Sequence, residues 1–208
     1  MNTNLQPISR SFGFDIGTPI DRIYIEDFLS KNSHCIKKNI IEIADNTYSK
    51  KYAQENSNFH ILHTMKINDN VIVGDLTKIE SLPKNMFDCF ICTQTLNFIY
   101  DFHKAIEGSY YLLKNGGVML ATVSGISQIS RYDMDKWGDF WRFTDLSIKI
   151  AFEKIFGKEN IEVEYYGNVY SAKCFLDGIP AEKLTLDELF YKDQDYQITI
   201  VVKAVKNV

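Results

Sequence analysis

The chain has 208 residues, 45% apolar and 24% charged, with a net charge of −4 and a pI near 5.6. That length predicts one folding unit with a sizeable core, and the acidic balance gives no reason to expect nucleic acid as a partner. Residues 1–7 lack a basic segment leading into an apolar one, and no apolar run approaches the ~20 residues that span a bilayer, so the chain reads as soluble and cytoplasmic, without a membrane span.

Residues 1–18 read as irregular. Thr18-Pro19-Ile20-Asp21 opens a helix, with a hydroxyl cap and Pro at the first helical position. Its apolar face takes Ile20, Ile23, Tyr24 and Phe28, with Ile36 further on. Residues 39–44 form the first strand, Asp45-Asn46-Thr47 a turn and 48–55 a short helix. His60 to Met65 is the second strand, Asn68-Asp69-Asn70 a turn and Val71 to Val73 the third strand, followed by Gly74-Asp75. Asp88 to Cys92 is the fourth strand, and its unbroken apolar character suits burial on both faces.

Phe102, Ala105, Ile106, Ser109 and Leu113 mark a helix at 3.6 spacing, stopped at Asn115-Gly116-Gly117. Val118 to Val123 is the fifth strand, and 124–143 is a long polar-aromatic connection. Thr144 caps a helix to about Phe156, residues 161–166 are a sixth strand, and 168–192 hold one or two short helices. Tyr196 to Lys206 alternates strictly, as a strand with one wetter face does, whether antiparallel or at an edge. The fold is α/β: a Rossmann-like, seven-stranded, mostly parallel sheet with helices on both faces and the last strand antiparallel. In such sheets ligands sit beyond the carboxyl ends of the strands, and Asp75 and Gln94-Thr95 fall at two of those ends.

Cys89 and Cys92 form a C-x-x-C, which invites a redox or zinc reading. Both lie in a strand, where residues three apart point to opposite faces, whereas a redox pair favours a helix N-terminus. Core packing is the better reading. His60 and His63 share the spacing but lack a partner Cys or acid pattern, so no metal is expected.

Glu42-Ile-Ala-Asp-Asn-Thr-Tyr, Val73-Gly-Asp-Leu-Thr, Phe87-Asp-Cys-Phe-Ile-Cys-Thr-Gln-Thr-Leu and Leu113-Lys-Asn-Gly-Gly-Val-Met-Leu-Ala-Thr follow one another in order. Together they resemble a class I S-adenosylmethionine-dependent methyltransferase. The segments Phe12-Gly-Phe-Asp-Ile-Gly-Thr-Pro-Ile-Asp-Arg and Gly125 to Thr144 narrow the resemblance to the type-11-like branch found among bacterial glycan and cell-surface (polysaccharide) biosynthesis proteins. The resemblance implies a single domain: 1–38 an N-terminal lid and helix, 39–125 the cofactor-binding half, 126–208 the substrate loop and C-terminal half.

The same resemblance implies that Glu42, Ala44, Asp45 and Asn46 form the loop under the methionine part of S-adenosylmethionine, that Asp75 accepts the adenine amine with Leu76 against the ring, and that Thr93 and Gln94 line the sulfonium side. Two positions depart from the pattern: the first loop carries no Gly, with Asn46 the residue best able to adopt left-handed backbone, and Met65 stands where an acid would bind the ribose hydroxyls.

The chain contains four Arg, at 10, 22, 131 and 142, against many Lys, and all four lie in the N-terminal segment or the 124–143 connection. A scarce Arg suggests a position where the bidentate fork matters. The expectation is a mouth lined by Arg10, Arg22, Arg131 and Arg142 with Tyr132, Trp137, Phe140 and Trp141, suited to a small acceptor bearing phosphate or carboxylate plus a sugar or aromatic face. The alternative is structural ion pairs to Asp21, Asp139 or Asp145. Asp133 is the favoured base, ahead of Asp139, Tyr132 and His103, although methyl transfer often needs alignment alone. The function so read is methylation of an oxygen on an anionic, glycan-related or nucleotide-linked acceptor. The alternative is a non-catalytic relative acting as an interaction module. A dehydrogenase is disfavoured because no G-x-G-x-x-G occurs.

Overall fold

The computed structural model describes residues 5–66 and 71–207, so the turn read at Asn68 to Asn70 lies outside the described residues. Seven strands form one sheet: β1 (Asn39–Ile43), β2 (Asn58–His63), β3 (Val71–Val73), β4 (Phe87–Thr93), β5 (Leu113–Ser124), β6 (Ile161–Tyr166) and β7 (Thr199–Val205), in the order β3-β2-β1-β4-β5-β7-β6. β1 to β5 pair in parallel, and β7 runs antiparallel between β5 and β6.

Around the sheet lie α1 (Ile20–Lys31), α2 (Thr47–Tyr52), α3 (Phe102–Leu112), α4 (Arg131–Lys136), α5 (Asp145–Phe156), α6 (Val169–Asp177) and α7 (Leu186–Phe190). Among the described residues, no helix is long and apolar enough to cross a membrane.

The sheet divides the core in two. On one face Phe90, Cys92, Met119 and Ala121 pack under α3 and α5; on the other Cys89, Ile91 and Leu120 pack under α1, α2 and α6. Cys89 and Cys92 therefore occupy opposite faces, and burial pushes both thiols up, Cys92 to about 12. Neither is a reactive thiolate at neutral pH.

Three sequence expectations are corrected. The wetter face of β7 is confined to its far end: β7 is an interior strand with Thr199 and Val201 buried and only Lys203 and Val205 half-buried on that face, and the edge strand beside it is β6, whose residues alternate in exposure. Thr18 does not cap α1. Its hydroxyl and amide bond Glu182 instead (2.5 and 3.1 Å), and Pro19 stands at the cap position. β2 starts and ends two residues earlier than read, at Asn58 and His63, because its register against β1 begins at Asn39 with Asn58.

A glycine sets the close approach that matters for the site. Gly108 lies in the middle of α3, and a Cβ there would stand 2.1 Å from the Leu76 carbonyl oxygen. Only glycine lets the helix close over the chain leaving β3, which fixes Asp75 and Leu76 at the strand tips.

Candidate functional site

The carboxyl ends of β1 to β5 open into a cleft of about 1120 Å³, bounded also by residues 11–22 and by the connection from Ser124 to Arg142. Of the residues expected to hold a cofactor, Glu42, Ala44, Asp45, Asp75, Leu76, Thr93 and Gln94 line it. Asn46 does not; it borders a separate groove with Lys50 and Asn58. Met65 does not either: it is 60% exposed, and His63 and Thr64 stand in the cleft at the end of β2. The misplacement follows from the two-residue shift of β2. The His63 Nδ1 is taken up by the Met65 backbone, with the amide at 2.9 Å.

The first loop turns by an unexpected residue. Ala44, not Asn46, adopts the left-handed conformation, at φ 67°, while Asn46 is at φ −129°. Left-handed backbone costs a Cβ-bearing residue roughly 1–2 kcal/mol. Glu42 offsets part of this by folding the loop back. Its two oxygens accept the amides of Tyr48 (3.2 Å) and Ser49 (2.7 Å) at the start of α2. Burial pushes its carboxyl up, against those hydrogen bonds. Glu42 thus shapes the loop with both oxygens committed.

Asp75 accepts the Thr77 amide (2.9 Å) and hydroxyl (2.8 Å) through Oδ1, while Oδ2 lies 3.5 Å from the Lys78 ammonium. Burial raises its carboxyl, but the Thr77 hydrogen bonds and Lys78 outweigh it, so Asp75 sits below its ordinary value and is ionised at neutral pH.

Gln94, at φ 47°, turns the chain out of β4. Its side-chain oxygen accepts the Ser124 hydroxyl (2.7 Å) and the Asn97 amide (3.2 Å), and Asn97 also bonds the Ser124 hydroxyl at 2.8 Å and the Ser124 amide at 3.2 Å. The carbonyl of Asn97 accepts the Phe140 and Trp141 amides. This network ties the tips of β4 and β5 to the connection that follows β5. It leaves Gln94 Nε2 buried and without a partner, and a buried unmet donor is costly. Sequence reasoning missed Asn97 and Ser124, whose partners are far apart in the chain and leave no periodic trace.

The four arginines diverge. Arg22 lines the cleft, 5.8 Å over the Tyr48 ring. Arg142 also lines it, but its fork clasps Asp139 (2.5 and 2.8 Å) and its remaining N–H groups reach the carbonyls of Gln128 (2.7 Å) and Trp141 (2.8 Å). It is the structural ion pair of the alternative reading. Arg131 and Arg10 stand outside the cleft lining. The Arg131 side chain, 71% exposed, is 3.6 Å from Asp135, and Arg10 bonds Gln6. Trp141 is likewise not a lining residue. It packs on Phe102 and donates to the Tyr100 carbonyl at 3.1 Å, supporting the rings that do line the cleft. Tyr132 and Asp133 line it, and so do Trp137 and Phe140. Gly138, at φ 93°, makes room for the Phe140 ring, which a Cβ would meet at 2.2 Å.

Asp21 is a further lining residue. Burial pushes its carboxyl up to about 6, with the Arg22 amide and guanidinium opposing. His103 lies outside the lining, and Asp139 is consumed by Arg142.

A family model described as a methyltransferase domain matches residues 27–121. Residues 27–121, a little under half of the chain, therefore read as a methyltransferase domain. Solved structures of the same fold include the cyclase SpnF (14% identity, covering 90% of this chain and 82% of that one, TM-score 0.57). A methyltransferase from Archaeoglobus fulgidus is similar at 13% identity, 89% and 94% coverage and TM-score 0.55. One from Thermotoga maritima is similar at 13% identity, 90% and 94% coverage and TM-score 0.57. At these identities the likeness is one of fold. No curated protein matches the chain.

The methyltransferase domain's cofactor, S-adenosylmethionine, fits the residues present. The cleft is roomy, carboxylates border it at the tips of β1 and β3, and Gln94 offers an unmet buried donor at the tip of β4.

Proposed function

We propose that the protein methylates an oxygen of a small, ring-bearing acceptor, glycan-related or nucleotide-linked, bound beside the cofactor in the cleft. The observation that carries this reading is the buried, unpartnered Nε2 of Gln94 at the β4 tip, between the loops at both ends of the cleft. In this reading Asp75 accepts the adenine amine, with Leu76 against the ring. The Ala44-Asp45 turn runs beneath the amino-acid end, Thr93 and Gln94 border the sulfur, and His63 with Thr64 takes the ribose side in place of Met65.

S-adenosylmethionine supplies an electrophilic methyl group when bound. The chain's task is then to align the acceptor oxygen and remove its proton. Of the carboxylates considered, Asp133 and Asp21 remain available in the cleft. Asp21, raised to about 6, is the better match for taking a proton near neutral pH, which moves the role from Asp133 to Asp21. The anionic half of the sequence reading is not carried forward: it rested on four arginines, of which only Arg22 lines the cleft without a carboxylate within ion-pair distance among the described residues.

Calorimetry with S-adenosylhomocysteine tests the assignment. Asp75→Ala is expected to weaken binding by about 1–3 kcal/mol, as loss of a buried polar pairing does; an unchanged Kd removes Asp75 from the adenine site. A second reading, a non-catalytic relative, has one observation behind it: His63 rather than a carboxylate stands at the β2 tip. Under it S-adenosylhomocysteine binds but no methyl group reaches any acceptor. NAD is expected to leave the melting temperature unchanged.

A further inference from the structure

The cleft is rimmed by exposed aromatic side chains on three separate segments. Phe14 comes from the N-terminal segment, Tyr100 from the chain after β4, and Tyr132, Trp137 and Phe140 from the connection after β5. These rings are held in place. Tyr100 and Phe140 meet edge to face at 5.4 Å, Trp137 meets the His63 ring at 6.3 Å, and the Phe140 amide is tied to Asn97 at 2.9 Å.

Charge around them is one-sided. Seven carboxylates line the cleft against two guanidiniums and no lysine, so the field in it favours cations. Three of the seven are matched: Asp139 by Arg142, Asp75 by Lys78 and Asp101 by Lys104, the last two from outside the lining. Asp133 is not. Its Oδ2 accepts the Ser130 hydroxyl at 2.5 Å, and among the described residues no basic side chain reaches it. Asp133 sits in α4 next to Tyr132 and one turn before Trp137. Arg22 lies at the other end, over Tyr48 of α2.

We infer that the acceptor carries an ammonium group, bound by Asp133 within the aromatic rim, so that the substrate class is a ring-bearing amine such as an amino sugar or an arylalkyl amine rather than a phosphate or carboxylate. A carboxylate attracts the ammonium, and the negative faces of Tyr132, Trp137 and Phe140 attract it as well. The same ring faces and Asp133 repel an anion. The ring of the acceptor stacks whatever its charge, so charge is what the site discriminates. This inference rests on the proposed methyl transfer and adds the substrate class to it.

The test uses the full chain saturated with S-adenosylhomocysteine and two sets of ligands that share a ring and differ in charge. One set is methyl glucosaminide, methyl glucoside and methyl glucuronide; the other is tyramine and 4-hydroxyphenylacetate. In at least one set the ammonium member is expected to bind tenfold or more tighter than the carboxylate member, and in neither set is the carboxylate preferred. Asp133→Asn is expected to shrink that ratio below threefold. Trp137→Ala is expected to weaken every member of a set, the ammonium member most. Both variants are expected to unfold cooperatively near the melting temperature of the unaltered protein, which shows that they fold. A carboxylate bound as tightly as its ammonium counterpart, no ammonium bound in either set, or an unchanged ratio in Asp133→Asn overturns the inference while leaving the cofactor reading intact. Failure of S-adenosylhomocysteine to bind the unaltered protein overturns the proposed function, and this inference with it.

Discussion

The loop after β1 and the connection after β5 both border the cleft, and they hold their shapes by different means. The first runs from Ala44 to Asn46 and turns on a strained residue, Ala44 at φ 67°, with Glu42 bonding the far side of the turn. The second runs from Gly125 to Thr144 around an ion pair. Asp139, its side chain 1% exposed, receives the Arg142 fork and the Ser130 amide (3.0 Å), and Arg142 spreads to carbonyls on both sides. The first is a short turn that accepts a poor residue. The second is long, and one guanidinium gathers it into a wall of the cleft.

Removing the hub is the strongest way to test that contrast. Arg142→Ala leaves the Asp139 carboxylate buried without its counter-ion, which is expected to cost about 3 kcal/mol and lower the melting temperature by about 6–10 °C. Arg142→Lys keeps the charge without the fork and is expected to recover less than half. An unchanged melting temperature in Arg142→Ala would mean that the wall stands without its hub. Burial alone raises the Asp139 carboxyl, but the Arg142 and Ser130 hydrogen bonds outweigh it and hold it below the ordinary value. Its stabilisation is therefore present above the unfolded pKa and lost as pH falls through the folded one. Acid is expected to loosen this side below about pH 4, near the unfolded carboxylate value.

Asp21, above the first loop's side of the cleft, responds to pH with the opposite sign. Its carboxyl is raised to about 6 from 3.8, so its ionisation penalises the folded state fully above pH 6 and not at all below pH 4. Allowing for its partial exposure, Asp21→Asn is expected to stabilise the protein by about 1 kcal/mol at pH 7.5 and by nothing at pH 4, as denaturant unfolding at the two pH values will show. The same variant is expected to lower the rate of methyl transfer. Equal gains at both pH values would mean that the carboxyl is not raised.

The smallest effect tests the turn itself. Ala44→Gly removes the left-handed strain and adds chain entropy to the unfolded state, for a net gain of about 0.5–1 kcal/mol. S-adenosylhomocysteine affinity is expected to hold or improve. A destabilised variant would show that the Ala44 methyl group packs usefully.

The strands were legible because buried parallel strands write themselves as apolar runs, and the tips of β3 and β4 came with them: Asp75 and Gln94 stand in the cleft as their positions implied. The tip of β2 was not, because its first turns, Asn58 and Phe59, lack an apolar alternation to mark the register, and a two-residue slip put Met65 where His63 belongs. Arginine scarcity marked a segment that borders the cleft, but the Arg142 fork is taken by Asp139, and a fork that binds a ligand and a fork that binds a carboxylate look alike in sequence. Asn97 gave no signal at all. Its value lies in contacts to Ser124 and Phe140, which only the folded chain brings near.

β5 and β6 meet only through β7. Until residues 199–205 are available, β5 keeps one side of its ladder open along residues 118–124, a mostly apolar run. During synthesis the sheet can build from β3 through β5 while that apolar edge stays exposed to other chains. The strand that contributes nothing to the cleft therefore governs how long the nascent protein remains prone to aggregate, and slow elongation between β5 and β7 is the condition under which a folding chaperone would matter most.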